Sequence, residues 1–528
     1  MTPPLPLSAP PAWPRLWLVV SMALLLLCSA VQTSPMAHDE GWYATLAQGL
    51  VKSGDWLTPH WWGAMVYDKT SGLHWLIALA YSGFGISLGS ARLPSFLACI
   101  LSVLLTYEIG CILLNRTAAW WGAMVLTVGF LWVQYGQLAT QDLPLVAVEL
   151  LAIWAILQAE QYPDWRVSWL TLAGSLVGVG FLVKGVMVFL PALALVPYLV
   201  IRKHLLNPGL YLGLGAGLSL VAVWFWQLEA RHGMAPFEQL FGMVKLTSTG
   251  DYHNVGPFYY LWNIPANAFP WPFFALLGTY WVSQDRTLTR RWLLLGYPVI
   301  LFVALTLFPT RTQYYALQLH PFLALLAGVA LVHLADRRKT WLPVALSYGF
   351  GGLGMVLVGG SLLLLSPWLE IGEDTRYGFL ALVLGLSWLF FGWLGLIRAN
   401  PRWWLGSLLL GPWLSLALAG ATGGLGNYSP DVRTATAQPE VSQILQTHPV
   451  QMVVADPVSG EDHKTWILLS FYSPSWGKRY PDCMALPPAS YAWVSPGLLV
   501  PSSFRQITTV RGWRLVQADG SGGARLKL

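Results

Sequence analysis

Thirteen apolar stretches, each near the ~20 residues that carry a helix across a hydrocarbon core, run through this chain. They fall near 15–34, 91–114, 117–138, 143–160, 167–186, 187–202, 208–229, 259–282, 292–308, 313–334, 341–366, 377–397 and 403–425. Composition agrees. The chain is 55% hydrophobic and 10% charged, against about 25% charged in an ordinary soluble domain. Mean hydropathy is +0.54. A soluble globular enzyme and a disordered chain are both excluded. The 30 tryptophans fit the same class, because indole rings gather at bilayer interfaces. The expected fold is an all-α polytopic membrane protein of about 13 transmembrane helices. The first apolar run is expected to be an uncleaved span rather than a secretory signal, since so many spans follow it.

Basic residues set the direction of the spans. The stretch Leu73–Ile86 is apolar but short and interrupted by glycine, which fits an interfacial or re-entrant segment better than a span. With that stretch outside the membrane and the N-terminus inside, Arg15, Arg116, Arg166, Arg202, Lys203, Arg286, Arg290, Arg291, Arg337, Arg338, Lys339, Arg398 and Arg402 all face inward. Fewer basic residues face outward, and over longer loops: Lys52, Lys69, Arg92, Lys184, Arg231, Lys245, Arg311 and Arg376. Positive charge prefers the cytoplasmic side, so this arrangement is the expected one. It places two long loops, about 35–90 and 230–258, and the tail from about Asn427 to Leu528 on the outer face.

The tail is polar, with strand-like runs at Gln451–Val454, Ile467–Phe471 and Tyr491–Val494 and a hairpin-like Ile507–Gln517. It is expected to form a small mixed α/β extracytoplasmic domain, 427–528, after a membrane domain over 1–426. Four cysteines supply no disulfide framework, and no Cys/His spacing suggests zinc. No metal and no cofactor is expected; scattered loop histidines such as His38, His253 and His320 are usually not ligands.

The first outer loop concentrates chemistry: His38-Asp39-Glu40, Gly41-Trp42-Tyr43, Ser53-Gly54-Asp55-Trp56 and Tyr67-Asp68-Lys69. Adjacent carboxylates beside a bilayer are costly unless solvated or used. A carboxylate here can take a proton from an acceptor hydroxyl or amine, and Lys69 can meet a phosphate as a point charge. A solvated acidic loop and a snorkelling lysine are the plainer alternatives. Outside the membrane ATP and sugar nucleotides are absent, so a substrate for any chemistry there must carry its own activation; a lipid-linked phosphate does so.

The segment from Asp39 to Pro94 resembles the first outer loop of integral-membrane glycosyltransferases of the GT-C class. More closely, it is similar to the group joining lipid A aminoarabinose transferases and protein O-mannosyltransferases. Asp39, Glu40, Tyr43, Gly54, Asp55, Trp56, Lys69, Trp75, Phe84, Gly85, Arg92 and Pro94 match that pattern in order. Later segments resemble it too: Asp142-Leu143-Pro144, Lys184-Gly185, Gly256-Pro257-Phe258-Tyr259-Tyr260 before Phe269-Pro270-Trp271, and Arg311 with Tyr315 and Pro321. The resemblance implies a GT-C fold and an inverting transfer of a sugar from a polyprenyl-phosphate donor to a lipid or protein acceptor at the outer face of the inner membrane. It implies that Asp39 is the general base or orients the acceptor, with Glu40 and Asp142 as further acidic candidates. It implies that Lys69 grips the donor phosphate; by residue type and place, Lys184 is either a second phosphate contact or a snorkelling lysine, and Asp142 either orients the acceptor or caps its span. Two departures stand out. The family's Lys-Pro is Lys69-Thr70 here, and an Arg-Phe expected before Gly256 is absent, which leaves Lys245 or Arg311 to supply that cation. A transporter or flippase for a lipid-linked sugar is the alternative, but such a protein carries charge at mid-span and paired broken helices. Here the ionisable residues collect on one face. Glu108 and Glu149, inside spans, are expected to make interhelical polar contacts, and the Gly349–Gly354 run to allow close helix packing.

Overall fold

The computed structural model describes residues 12–519 except 31, 250–254, 286–289, 338–339, 367–374, 456–457 and 459. Arg286, Arg338 and Lys339, and in the second outer loop His253, lie outside the described residues. The chain forms two compact units. One comprises 1–32, 68–73 and 94–425; the other comprises 33–67, 74–93 and 426–528.

The first unit is helical throughout, and each expected span contains a helix. Among the described residues, eight helices are long and apolar enough to cross a membrane, or nine if the Arg116–Thr127 and Phe130–Gly136 pair, bent by 66°, is one span. The shortfall from thirteen has physical causes. Pro14–Cys28 and Arg291–Leu307 are helices of only 15 and 17 residues. The expected 259–282 span is two pieces, Tyr259–Asn267 and Trp271–Gln284. The expected division between 186 and 187 falls in a 3-10 turn, Gly185–Val188, that runs on from Arg166–Lys184 into Phe189–Ile201. Gly185 has φ 57°, a conformation glycine adopts without a Cβ penalty.

Small residues set how these helices meet. Apolar side chains gain little by leaving lipid for protein, so close backbone approach does the work instead. Arg166–Lys184 presents Gly174 and Gly178, and Pro208–His232 presents Gly213 and Gly217. A Cβ at any of the four would collide with backbone of the facing helix. The glycine run after Ser347 behaves in the expected way in part, because Gly354 packs against Gly385. Glu108 meets Arg15 at 2.5 Å, and Glu149 accepts the Tyr297 hydroxyl; both are the interhelical contacts expected of acids inside spans.

The second unit is built on a five-stranded sheet. Its strands are β1 Val450–Val453, β2 Trp476–Tyr480, β3 Tyr491–Val494, β4 Arg505–Val510 and β5 Trp513–Gln517, in spatial order β2-β1-β3-β5-β4. β1 is parallel to β2 and β3, and β5 is antiparallel to β3 and β4. The mixed α/β tail is therefore present, with one change. Ile467–Phe471, read as strand-like, lies in the helix Gly460–Tyr472. Trp466, Ile467, Leu468 and Leu469 are all buried, and a short continuous apolar run does not distinguish strand from buried helix. The tail does not build its core alone. Leu46, Trp61 and Trp62 of the first loop share one apolar cluster with Val450, Ile467, Trp493 and Trp513. Gly72–Phe84, the ambiguous stretch, is a helix of 13 residues, about 20 Å long at 1.5 Å per residue and too short to cross.

The glycine seam generates a paired prediction. Gly217→Leu drives a side chain into the backbone at Ser175, whereas a Cβ at Gly215 meets nothing within 4 Å. Overpacking of this kind costs about 1–3 kcal/mol or more. Gly217→Leu should lower the melting temperature of the detergent-solubilised protein and Gly215→Leu should leave it near wild type; equal melting of the two would deny the close-packed seam.

Candidate active site

The Asp39-Glu40 turn belongs to the second unit. Glu40 is fully buried, and Arg92 grips it in a fork: Arg92 Nε donates to Glu40 Oε1 at 2.6 Å and Nη2 to Oε2 at 2.9 Å. The Met36 N–H donates to Oε2 at 2.9 Å. Arg92 Nη2 also donates to the carbonyls of Gly426 at 3.0 Å and Ser34 at 3.3 Å. A charge removed from water is tolerated only with such complete pairing. Around it, Ser34 Oγ donates to Asn427 Oδ1 at 2.7 Å, and Arg433 donates to the Thr33 carbonyl at 2.9 Å. One ion pair thus ties the start of the first loop to the start of the tail.

This clamp shapes its neighbour. Asp39 has φ 52° and ψ −86°, near the strained γ-turn region, in a turn closed by the Gly41 N–H donating to the Met36 carbonyl at 2.8 Å. Non-glycine residues persist in such regions where the surroundings over-determine them, and these regions cluster at functional sites. Asp39 is half-buried and His38 exposed. The His38 ring lies 5.8 Å from that of His463, which also meets Trp42 and Trp61. Burial, then His38, pushes the His463 pKa down. The Ser53-Gly54-Asp55-Trp56 motif is a helix stop. Gly54 takes φ 71° to end Trp42–Ser53, and Asp55 Oδ1 accepts the N–H groups of Leu57 and Thr58 at 3.1 and 3.3 Å.

The basic candidates belong to the first unit. A cavity of about 90 Å³ is lined by Lys69, Thr70, Gln141, Lys184 and Tyr315, with an apolar side of Leu240, Met243, Val244 and Phe308. Asp142 opens the helix Asp142–Gln161 and Lys184 closes Arg166–Lys184. Each helix end favours the charge it carries. The two side chains form a buried ion pair. The rings of Tyr314 and Tyr315 flank the Lys184 ammonium at 5.1 and 5.0 Å, within range of cation–π attraction. Lys69, half-buried, has neither hydrogen bond nor ion pair among the described residues.

The structure therefore brings Lys69 and Lys184, the latter paired with Asp142, to one cavity and joins Glu40 to Arg92. Arg311 is placed differently. Its guanidinium donates to the carbonyls of Thr306, Val255 and Pro309, closing the C-terminal end of Arg291–Leu307. Lys245 is exposed on Ala235–Thr249, the helix whose Leu240, Met243 and Val244 wall the cavity. Sequence reasoning did not find the partner of Glu40 or the tyrosine at position 314. Arg92 was visible as a motif match, but nothing in the spacing pairs it with a residue 52 positions earlier.

Comparison with known proteins agrees with this architecture. Residues 68–226 match the family model described as dolichyl-phosphate-mannose-protein mannosyltransferase. An undecaprenyl phosphate-alpha-4-amino-4-deoxy-L-arabinose arabinosyl transferase of Pseudomonas fluorescens is 26% identical over 423 residues, 78% of this chain and 76% of that protein. A Pseudomonas aeruginosa protein of the same name is 31% identical over 222 residues, 40% of each chain. The crystal structure of ArnT from Cupriavidus metallidurans bound to undecaprenyl phosphate superposes with a TM-score of 0.73 at 20% identity, covering 97% of this chain and 99% of that one. The chain is a multi-pass membrane glycosyltransferase with the GT-C fold, similar in sequence to aminoarabinose transferases and, over residues 68–226, to protein mannosyltransferases.

Proposed function

We propose that this enzyme transfers a sugar from a polyprenyl-phosphate donor to a lipid acceptor at the outer face of the inner membrane, with inversion at the anomeric carbon. The observation that carries the reading is Lys69, a cation with no protein partner among the described residues, in a cavity that Asp68 and Lys184 also line and whose far wall of Leu240, Met243, Val244 and Phe308 is apolar. That combination suits a phosphate on a long hydrocarbon. The names of the relatives, undecaprenyl-phosphate aminoarabinose transferases, make that donor the first to test and a lipid the acceptor class to test beside protein.

The chemistry assigns one role to each group. The acceptor attacks the anomeric carbon and the polyprenyl phosphate leaves. Lys69 stabilises charge growing on the departing phosphate. Asp142 holds Lys184 at the same cavity, so the Lys184 ammonium offers a second N–H donor to the phosphate with its position fixed, its charge balanced by Asp142. Asp39 takes the nucleophile's proton, and Glu40, bound to Arg92, holds the turn that presents it. Lys245 and Arg311 are assigned supporting parts, Arg311 by ordering the Val255 and Thr306 carbonyls. A transporter reading draws no support from relatives that are transferases by name.

Three outcomes test this. Asp39→Asn should lower turnover by about 10²–10⁴, the usual worth of general-base assistance, with donor affinity kept; Glu40→Gln should instead lower stability, since one-sided loss of a buried pair costs about 3–5 kcal/mol. Initial rates and donor binding on both variants decide it, and near-normal turnover by Asp39→Asn would remove it as base. Lys69→Ala should weaken donor use by about 10–100-fold, in keeping with ~1.5–3 kcal/mol for a hydrogen bond to a charged group. Wild-type donor dependence would sink the phosphate role. Orientation is tested in a cysteine-free background with Leu499→Cys and Leu206→Cys, at positions 92% and 81% exposed. An impermeant maleimide should reach position 499 in intact spheroplasts and position 206 only after permeabilisation, and the reverse would invert the topology.

A further inference from the structure

Position 70, where the sequence departs from the family's Lys-Pro, has a structural counterpart in the first unit. Thr70 lines the cavity that Lys69 and Lys184 also line. Its segment is drawn against the end of Arg166–Lys184. A Cβ at Gly72 would strike the Leu182 carbonyl oxygen at 2.4 Å, and a Cβ at Gly185 would meet the Thr70 methyl at 3.7 Å. Close backbone approach at Gly72 thus sets Thr70 beside the Lys184-Gly185 turn, while the chain itself sets it beside Lys69.

Thr70 is 2% exposed, and its hydroxyl oxygen is buried with no hydrogen-bond partner among the described residues. Apart from Lys69, the other polar side chains of the lining are engaged: Asp68, Gln141 and Tyr315 within the protein, and Lys184 with Asp142. A buried hydroxyl left unpaired works against the fold, so its retention calls for a reason outside packing. The side chain is short, and rotation about a single bond turns its hydroxyl toward the space the residue lines.

Net charge does not choose the ligand here, because Asp68 and Asp142 balance Lys69 and Lys184 in sum. Hydrogen-bond donors do. The two ammonium groups can only donate, and a hydroxyl adds a further donor. A group with several acceptor oxygens on one centre answers all of them, and a phosphate is such a group. Proline at this position would supply neither the hydroxyl nor a backbone N–H, so the contact belongs to this chain and not to the Lys-Pro pattern. We propose that the Thr70 hydroxyl donates a hydrogen bond to the phosphate of the polyprenyl-phosphate donor, alongside Lys69 and Lys184. The proposal rests on the transfer reading, which makes this cavity the donor-phosphate site, and adds to it a contact that the reading does not require.

Binding of undecaprenyl phosphate, a carrier without sugar, to the full-length protein in detergent tests the contact, with undecaprenol as the phosphate-free control. Thr70→Val keeps the shape and the methyl at Gly185 and removes the hydroxyl. It should lower affinity for undecaprenyl phosphate by about 10–100-fold, the worth of a hydrogen bond to a charged group. Its affinity for undecaprenol should be unchanged, and without added lipid it should melt no lower than wild type. Thr70→Ser, which keeps the hydroxyl, should bind undecaprenyl phosphate nearly as wild type does. Equal binding of undecaprenyl phosphate by Thr70→Val and wild type, with Lys69→Ala weakened, would overturn the proposal and leave the transfer reading standing. Equal binding by all three proteins would overturn both. A lower melting temperature for lipid-free Thr70→Val would also overturn the proposal, since the hydroxyl would then serve the fold.

Discussion

The buried Glu40–Arg92 pair is the constraint on which the loop-and-tail unit depends. A fully buried carboxylate must be neutralised and hydrogen-bonded or it does not stay charged. Here a forked guanidinium meets it, and the same guanidinium also holds two backbone carbonyls, at Ser34 and Gly426. The geometry leaves the preceding residue little choice. With Glu40 pinned and Gly41 bonded to Met36, Asp39 is carried into positive φ. One ion pair orders the turn, strains the aspartate and joins two segments distant in sequence.

The basic residues divide their labour. Arg92 is spent on Glu40, Lys184 on Asp142 and two tyrosine rings, and Arg311 on carbonyls at a helix end. Placing a cation against a carboxylate at a helix start balances its charge and holds it still, so Lys184 keeps a defined position beside the cavity. Lys69 is arranged otherwise, with no protein group among the described residues drawing it away. Lys and Arg differ in this respect. An ammonium on a flexible stem adapts to a phosphate as a point charge, whereas the planar guanidinium suits the fixed forks seen at Arg92 and Arg202.

Much of this was legible in the sequence, because a span is written in about 20 contiguous apolar residues. Every expected span holds a helix. The breaks were less legible: nothing in the apolar run over 117–138 states that the helix bends by 66° near Gly129. The helix Gly460–Tyr472 was misread for a related reason, since burial on all sides erases the periodicity that tells helix from strand. Motif order pointed to Asp39, Lys69, Asp142 and Lys184 as a set. Pairings were not legible, because Asp142 with Lys184 and Glu40 with Arg92 are joined across 42 and 52 positions by folding alone. Arg311 shows the limit of residue type as a signal: a cation at a span end serves backbone carbonyls as readily as a phosphate.

The shared core of the first loop and the tail also fixes an order of assembly. Ser34 and its partner Asn427 are 393 positions apart, and chains grow at about 5–20 residues per second. The loop therefore leaves the ribosome roughly 20–80 s before the residues that complete its core are made. During that interval Trp61 and Trp62 lack the Ser470 hydroxyl that later accepts both indole N–H groups, while the membrane helices between them are already being inserted. Arg92 gains its Gly426 contact only when the start of the tail arrives, so the clamp on Glu40 is completed late in synthesis.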